Sequence, residues 1–360
     1  MTFARTIKSN AKRRISSAGF TMIELLVSVS LFVVIGGAAI SLFKQHAPLF
    51  TKQQALTGLN VTMRNAMAQM QMDVVNAGSG YYPGTNFPDW PIGITIQNNV
   101  AGSSCYNSTT KAYSATCFDT LNVIAMNPAT PPSHPSGNSL GTTNANTASS
   151  PMFAVPTVPT VANATALAAT FHSGDELLLV NSDGTQLTTV ILSANGTVSG
   201  TAVQLSFTPT SSAGVNASDP VLIAASNISG KLGTAFGSND WIMKLSPVKY
   251  SVDATDPTDP KLTRTQNGTT DVIAEQIIGF KVGATILDSA TYANTDYYQF
   301  DTSTYSSNFS LIRSVQLSLI GRTAPNTVGG STFTNNFDGG NYQIQSISLT
   351  VNPRNLSMRD

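Results

Sequence analysis

The stretch Ile15-Ser16-Ser17-Ala18-Gly19-Phe20-Thr21-Met22-Ile23-Glu24-Leu25-Leu26-Val27 opens onto a run, Leu25 to Phe43, that contains no charged residue. Most of that run is Leu, Val, Ile, Ala or Phe. Its 19 residues, helical at about 1.5 Å per residue, nearly match a hydrocarbon core about 30 Å thick. On its N-terminal side, Arg5, Lys8, Lys12, Arg13 and Arg14 give the first 19 residues a charge of +5 with no acid among them. A basic flank of that kind stays on the cytoplasmic side, which places the remainder outside. A secretory signal peptide is the alternative, but its apolar region is about 7–15 residues long. No small-x-small cleavage site follows Phe43 either, where the chain reads Lys44-Gln45-His46-Ala47-Pro48.

Glu24 is the informative residue of this stretch, because a carboxylate in a spanning helix costs about 2.5–3.5 kcal/mol near the bilayer centre. A helix this apolar tolerates the cost, so the question is what the carboxylate pairs with. If the chain is cut between Gly19 and Phe20, the new α-amino group is a cation at a similar depth. Glu24 of one subunit then meets the Phe20 amine of the next when helices stack side by side. The basic leader, Gly19 before Phe20, then Thr21, Glu24 and Leu25-Leu26-Val27 resemble the prepilin signal of type IV pilins and of type II secretion pseudopilins. The resemblance implies that prepilin peptidase cuts after Gly19 and methylates the Phe20 amine, and that Glu24 guides docking into a growing filament. It also implies that Gly19 is required because its missing side chain lets the peptidase approach the bond. The alternative is an uncleaved single-pass anchor with an incidental Glu24.

Further along, Gly36 and Gly37 sit mid-helix, where each costs about 1 kcal/mol relative to Ala. They serve either close helix packing or local unwinding, and Pro48 is expected to kink the helix. Beyond Pro48, Leu56, Leu59, Met63, Met67, Met70 and Val74 recur at helical spacing, while Lys52, Thr57, Asn60, Arg64 and Gln71 face elsewhere. The methionines read as core, not as a metal-binding stripe. Asn76-Ala77-Gly78 reads as the helix end. One helix from Phe20 to about Val75 is expected, half in the membrane and half on a sheet.

The 360 residues carry 19 basic and 19 acidic groups, and only 11% of them are charged, against about 25% in ordinary soluble domains. This balance argues against a nucleic-acid binder, which shows a basic excess. With 41% hydrophobic residues, it also argues against a charge-driven disordered chain. The neutrality hides an asymmetry: from Phe20 onward the net charge is −5, and from Asn76 onward it is −6.

From Gly78 onward the helical period gives way to short β-like runs separated by Gly, Asn, Asp, Ser and Pro. The expected strands are 92–97, 120–125, 176–181, 188–192, 203–207, 221–225, 241–252, 261–265, 271–282, 311–320 and 342–351. A bulge near Gln345-Ser346 is expected, because the apolar phase shifts there. Residues 127–170 are a low-complexity insertion with too few large apolar residues to build a core, read as an exposed loop with an adhesive role as the alternative. The segments Val248–Val252 with Lys261–Arg264, Val272–Phe280, Arg313–Leu319 and Ile347–Asn355 are similar to elements of the PilW group of minor pilins. The fold expected is α+β: a leader at 1–19, a transmembrane and assembly helix at 20–75, and a β-rich periplasmic domain at 76–360. The helix packs on an antiparallel sheet. The PilW-type resemblance implies a minor pilin in the initiating or tip complex. Its partners are prepilin peptidase, other minor pilins, the major pilin and the inner-membrane assembly platform. The J-type pseudopilins share this layout and remain an alternative, as does a membrane-tethered periplasmic protein of another function, such as an enzyme.

Little in the sequence points to catalysis or to a cofactor. Cys105 and Cys117 read most simply as a disulfide outside the cytoplasm, worth about 3 kcal/mol in the entropy model. Asp253, Asp256 and Asp259 form either an Asp-Pro turn or an oxygen cluster for Ca²⁺, but they lack the Gly and terminal Glu of an EF-hand loop. Gly137-Asn138-Ser139-Leu140-Gly141 spells G-x-S-x-G without the strand and helix that a nucleophile elbow needs. His46, His134 and His172 are scattered, and no metal ligand set is expected.

Overall fold

The computed structural model describes residues 19–79, 93–99, 105–136, 152–180, 182, 187–207, 237–287, 291, 293–300, 312–324 and 334–354. The protein is α+β, with one long apolar N-terminal helix and a large antiparallel β domain. It divides into two compact units, Met1–Gln54 and Ala55–Asp360.

Helix α1 covers Met22–Val75, and its assignment runs without interruption through Gly36, Gly37 and Pro48. Its first part belongs to the N-terminal unit and its last 21 residues, Ala55–Val75, to the second. In the second unit most of the expected stripe is buried: Leu59, Met63, Met67, Met70 and Val74 are each at most 8% exposed, while Leu56 is half-buried, and Ala66 joins the buried face. Burying a side chain of this size stabilises the fold by about 1.5–3 kcal/mol, so tertiary packing holds this segment helical. The helix ends where expected. Gly78 takes a left-handed φ of +69°, which a side chain would strain, and its amide donates to the Ile124 carbonyl at 2.8 Å.

In chain order the strands are β1 (Ile94–Gln97), β2 (Tyr106–Asn107), β3 (Ala112–Tyr113), β4 (Thr120–Met126), β5 (Ser133–Pro135) and β6 (Met152–Pro156). Helix α2 (Val161–Ala168) comes next, then β7 (Glu176–Val180), β8 (Leu187–Ile191), β9 (Thr197–Ser199) and β10 (Ala202–Leu205). The chain closes with β11 (Trp241–Asp253), β12 (Lys261–Gln266), β13 (Thr269–Ala274), β14 (Ile277–Leu287), β15 (Asn294–Tyr297), β16 (Ile312–Arg322) and β17 (Ile344–Val351).

Strand β11 is the spine of the larger sheet. Its first half pairs with β7 and β5, and its second half with β4 and β12. The order runs β1-β4-β11-β5-β6-β10-β9, with β12 carrying β13 and β7 carrying β8. A second sheet has the order β15-β14-β16-β17. The main core gathers the buried face of α1 with Tyr250, Phe280, Leu317 and Leu319. Close approach of helix and sheet depends on Gly321: a Cβ there lies 2.8 Å from both Leu59 Cδ1 and Met63 Sδ.

Three expectations are corrected. The insertion 127–170 is not simply an exposed loop, because β5, β6 and α2 lie within it. Met152, Ala154, Ala164 and Leu167 are buried in a second core with Phe171, Leu177, Leu179, Val203, Leu205 and Ile242. The large apolar groups that the segment lacks come from strands after it, while its small alanines let α2 approach them closely. The run 271–282 is two strands, not one: it breaks at Glu275-Gln276, where Gln276 takes a φ of +58°. Finally, β17 pairs with β16 in continuous register from Ile344↔Arg322 to Val351↔Val315, so no bulge lies at Gln345-Ser346. Tyr342 precedes the strand and is anchored by its own hydrogen bond to Asp338, while Ile344 lies within β17 on the face opposite Ile347, Leu349 and Val351. The register shifts fall instead in β12–β13 and β14–β16. The expected strand 221–225 lies outside the described residues.

Candidate functional site

Gly19 and Phe20 precede α1 outside any helix or strand, and both are exposed, Phe20 by 83%. A Cβ built on Gly19 meets nothing within 4 Å. Among the described residues, nothing therefore crowds this position.

The helix starts with a reciprocal cap. The Thr21 amide and hydroxyl both donate to Glu24 Oε2, at 3.0 and 2.9 Å, and the Glu24 amide donates back to Thr21 Oγ1 at 3.3 Å. This is the T-x-x-E capping box, in which each side chain satisfies the other residue's otherwise orphaned backbone N–H. The carboxylate also sits at the positive end of the helix dipole. Glu24 thus has a local structural role in the isolated chain, beyond the pairing role expected of its charge.

Beyond the cap, Leu25, Leu26, Val29, Phe32, Val33, Val34, Ile35, Ile40 and Phe43 are all more than half exposed. These residues point in every direction round the helix, so no single stripe seeks a protein core. The polar groups among them are closed inward. Ser28 Oγ donates to the Glu24 carbonyl at 2.6 Å, and Ser30 Oγ to the Val27 carbonyl at 2.8 Å. A helix with internal backbone bonds, self-satisfied hydroxyls and an apolar surface all round is what a hydrocarbon environment accepts. The helix is long and apolar enough to span a membrane.

The other candidate residues resolve into structural roles. Cys105 and Cys117 are joined in a disulfide, with Cα atoms 5.2 Å apart; it closes the β2–β3 hairpin loop and lies against the main core. The Asp253, Asp256 and Asp259 carboxylates are engaged in the turn. Thr255 donates twice to Asp253 Oδ1, at 2.9 and 2.6 Å, and Thr258 does the same to Asp256 Oδ1. Asp259 pairs with Lys261 at 3.2 Å and accepts from Gln276 at 3.0 Å. Those threonine bonds hold the Asp253 and Asp256 carboxyls below the usual range. His134 Nδ1 meets the Asp240 carbonyl at 2.8 Å and its ring lies on Trp241, while His172 is 3.8 Å from Asp175. Among the described residues no three His, Cys, Asp or Glu side chains are arranged to hold a metal. The G-x-S-x-G run at 137–141 lies outside the described residues.

Sequence reasoning missed two buried polar centres. In one, Asp73 on α1 accepts from Tyr250 on β11 and from Arg264 on β12. In the other, Asp338 accepts from Tyr113, Tyr342 and Asn335, beside Arg322. Burial, then the hydrogen bonds to these carboxylates, push the Tyr113 and Tyr250 hydroxyls up and Tyr342 up to about 12. Burial by itself raises the Asp338 carboxyl, but hydrogen bonds from Tyr342, Tyr113 and Asn335 outweigh it and leave it below the ordinary value. Their members lie up to 225 positions apart in the chain, so no local spacing could reveal them.

In comparison with known proteins, the chain matches no family model, and no curated protein or solved structure shows significant similarity to it.

Proposed function

We propose that this protein is a minor pilin. In this reading it is made as an inner-membrane prepilin with its C-terminal domain in the periplasm, cleaved between Gly19 and Phe20 by prepilin peptidase, and methylated on the Phe20 amine. It then enters a type IV pilus through α1, in the initiating or tip complex with other minor pilins and the major pilin. The observation that carries the reading is the start of α1: a free Gly19, a capped Thr21–Glu24 turn, and an apolar surface exposed on every side through Phe43. The basic leader before it supplies the cytoplasmic address. Gly19 is compatible with cleavage because it is exposed and no described residue crowds it, so a peptidase can approach the bond that follows. The exposed apolar helix supports assembly because one surface can face lipid first and neighbouring helices afterwards. Glu24 then has two successive roles, as cap in the free subunit and as partner of a neighbour's Phe20 amine in the filament.

Mass spectrometry of the N-terminus from a sheared-filament fraction tests this. A chain beginning at methylated Phe20 supports the proposal. A chain still beginning at Met1, in cells with active prepilin peptidase, overturns it.

A further inference from the structure

The hairpin β2–β3 is too short to hold itself. Each strand is two residues long, and the pair forms a sheet of its own. A two-stranded ribbon of that size is marginal in water. Two features fix it: the Cys105–Cys117 bridge closes its base, and three of its side chains reach a single residue at least 225 positions away. The Tyr106 hydroxyl donates to the Asp338 carbonyl at 3.0 Å, Lys111 Nζ to the same carbonyl at 2.6 Å, and the Tyr113 hydroxyl to Asp338 Oδ2 at 2.7 Å. The Tyr106 and Tyr113 ring centres are 4.6 Å apart, so the hairpin presents both hydroxyls together. Gly339 packs closely beneath Lys111, where a Cβ stands 3.2 Å from Nζ.

Asp338 in turn organises the bend that feeds β17. Its Oδ1 accepts from the Asn335 side chain and the Gly340 amide, both at 2.9 Å, and its Oδ2 accepts from Tyr342. Asp338, Tyr113 and Tyr342 are buried, so water does not readily replace a bond lost among them. Next along, the Gln343 amide donates to Thr323 Oγ1 at 3.1 Å, and the Thr323 amide to the Gln343 carbonyl at 2.9 Å. Strand β17 then starts at Ile344, at the end of its sheet with β16 as its neighbour. The bridge, the hairpin, the Asp338 turn and the start of β17 are thus linked in series.

We propose that the Cys105–Cys117 bridge is a redox-dependent latch on the turn 335–343. In the oxidised chain the hairpin holds Tyr106, Lys111 and Tyr113 against Asp338, and the turn is closed. In the reduced chain the hairpin frays and those three bonds are lost together. The turn then opens as a local unit, while the second core around Phe171 and Leu177 stays closed. Closing the latch moves two electrons and two protons from the two thiols to a disulfide carrier, which leaves as a dithiol. It therefore closes in an oxidising compartment, whether or not the chain enters a pilus.

Hydrogen exchange of the full chain in detergent micelles, read by mass spectrometry over 335–343 and over β7 and β8, tests the latch. Reduced parent and the double variant Cys105→Ser with Cys117→Ser are expected to exchange about tenfold faster than oxidised parent over 335–343, with β7 and β8 unchanged. Tyr113→Phe keeps the bridge and stands as a test even where the double variant misfolds. It is expected to speed exchange over the same segment, and to add little once the bridge is gone, because the latch is already open. A bridge that acts only on the unfolded chain leaves local exchange of the native turn unchanged, and that result overturns the proposal. So does equal acceleration in β7 and β8, unchanged exchange in Tyr113→Phe, or full additivity of Tyr113→Phe with loss of the bridge.

Discussion

Arg264 donates from Nε to Asp73 Oδ2 at 2.8 Å, tying strand β12 of the larger sheet to the last turns of α1. The Tyr250 hydroxyl donates to the same oxygen, and both charged side chains are less than one-fifth exposed. Removing Asp73 leaves a guanidinium and a phenol without their acceptor in a largely dry site. Asp73→Ala is expected to lower unfolding free energy by about 2–4 kcal/mol. Asp73→Asn, which keeps one acceptor oxygen, should cost roughly half as much. Urea denaturation followed by tryptophan fluorescence measures both, and equal stability of Asp73→Ala and the parent contradicts this account.

The two roles of Glu24 are separable. Glu24→Gln keeps a capping oxygen but removes the charge, whereas Glu24→Ala removes both. Loss of a hydrogen bond to a charged group is worth about 1.5–3 kcal/mol, so both variants should enter filaments roughly tenfold or more less efficiently. Glu24→Ala should also fray the helix start, at about 0.5–2 kcal/mol. Quantifying the protein in sheared filaments against the membrane pool reads the first effect. Parental incorporation of Glu24→Gln removes the charge pair and leaves only the cap.

Gly283 on β14 lies so close to the chain at β15 that a Cβ meets the Tyr297 carbonyl at 2.6 Å and the Tyr298 Cα at 3.2 Å. Backbone cannot swing aside as a flexible side chain does. Gly283→Ala is expected to destabilise the domain by about 1–3 kcal/mol, the usual cost of overpacking. Gly174→Ala, with nothing near its Cβ, separates crowding from its own backbone strain at φ +89°. The comparison is read from thermal midpoints, and a larger drop for Gly174→Ala contradicts the steric argument.

Breaking the Cys105–Cys117 bridge releases a hairpin loop from the unfolded-state constraint. In the entropy model this costs about 3 kcal/mol. Both sulfurs lie against the main core, so the double Ala variant also leaves small voids. Denaturation with and without reductant should show the parent falling towards the variant, and insensitivity to reductant is the contrary result.

Alkaline pH should destabilise the domain in a defined window. The Tyr342 hydroxyl titrates near 12 in the folded chain, and Tyr113 and Tyr250 are raised as well, against about 10 when unfolded. A raised folded value means that the stabilisation is complete below pH 10 and is lost as pH rises through 12. Absorbance at 295 nm should show these three tyrosines ionising late and together with unfolding. Ionisation of all tyrosines near pH 10 in a folded protein contradicts it.

Most of α1 was legible because its signals are local. An uninterrupted apolar run, then a stripe at three and four residues, needs only neighbouring positions to be read, and the helix ends at Val75 as the Asn76–Gly78 signal requires. Many strands were legible by the same logic of alternation, including β4, β11, β12 and β16. Short elements were not: β5 is only Ser133–Pro135, and β6, though apolar, is five residues long and set in a polar, low-complexity surrounding, so each is defined by its pairing across the insertion and with β11 or β10.

The Thr21–Glu24 cap lies between these cases. Its T-x-x-E spacing is in the sequence, but the reciprocal bonds exist only because the helix starts with Thr21 at its cap. Local sequence alone specified the apolar helix, its cytoplasmic-style basic leader and the β character of the region after Gly78, because each depends on residues within a few positions. Tertiary structure decided the second core inside 127–170, the register of β17, and the convergence of Asp73 with Arg264 and of Tyr113 with Asp338. Those depend on which segments become neighbours in the fold, and a partnership such as Asp73 with Arg264, 191 positions apart, leaves no trace in local spacing.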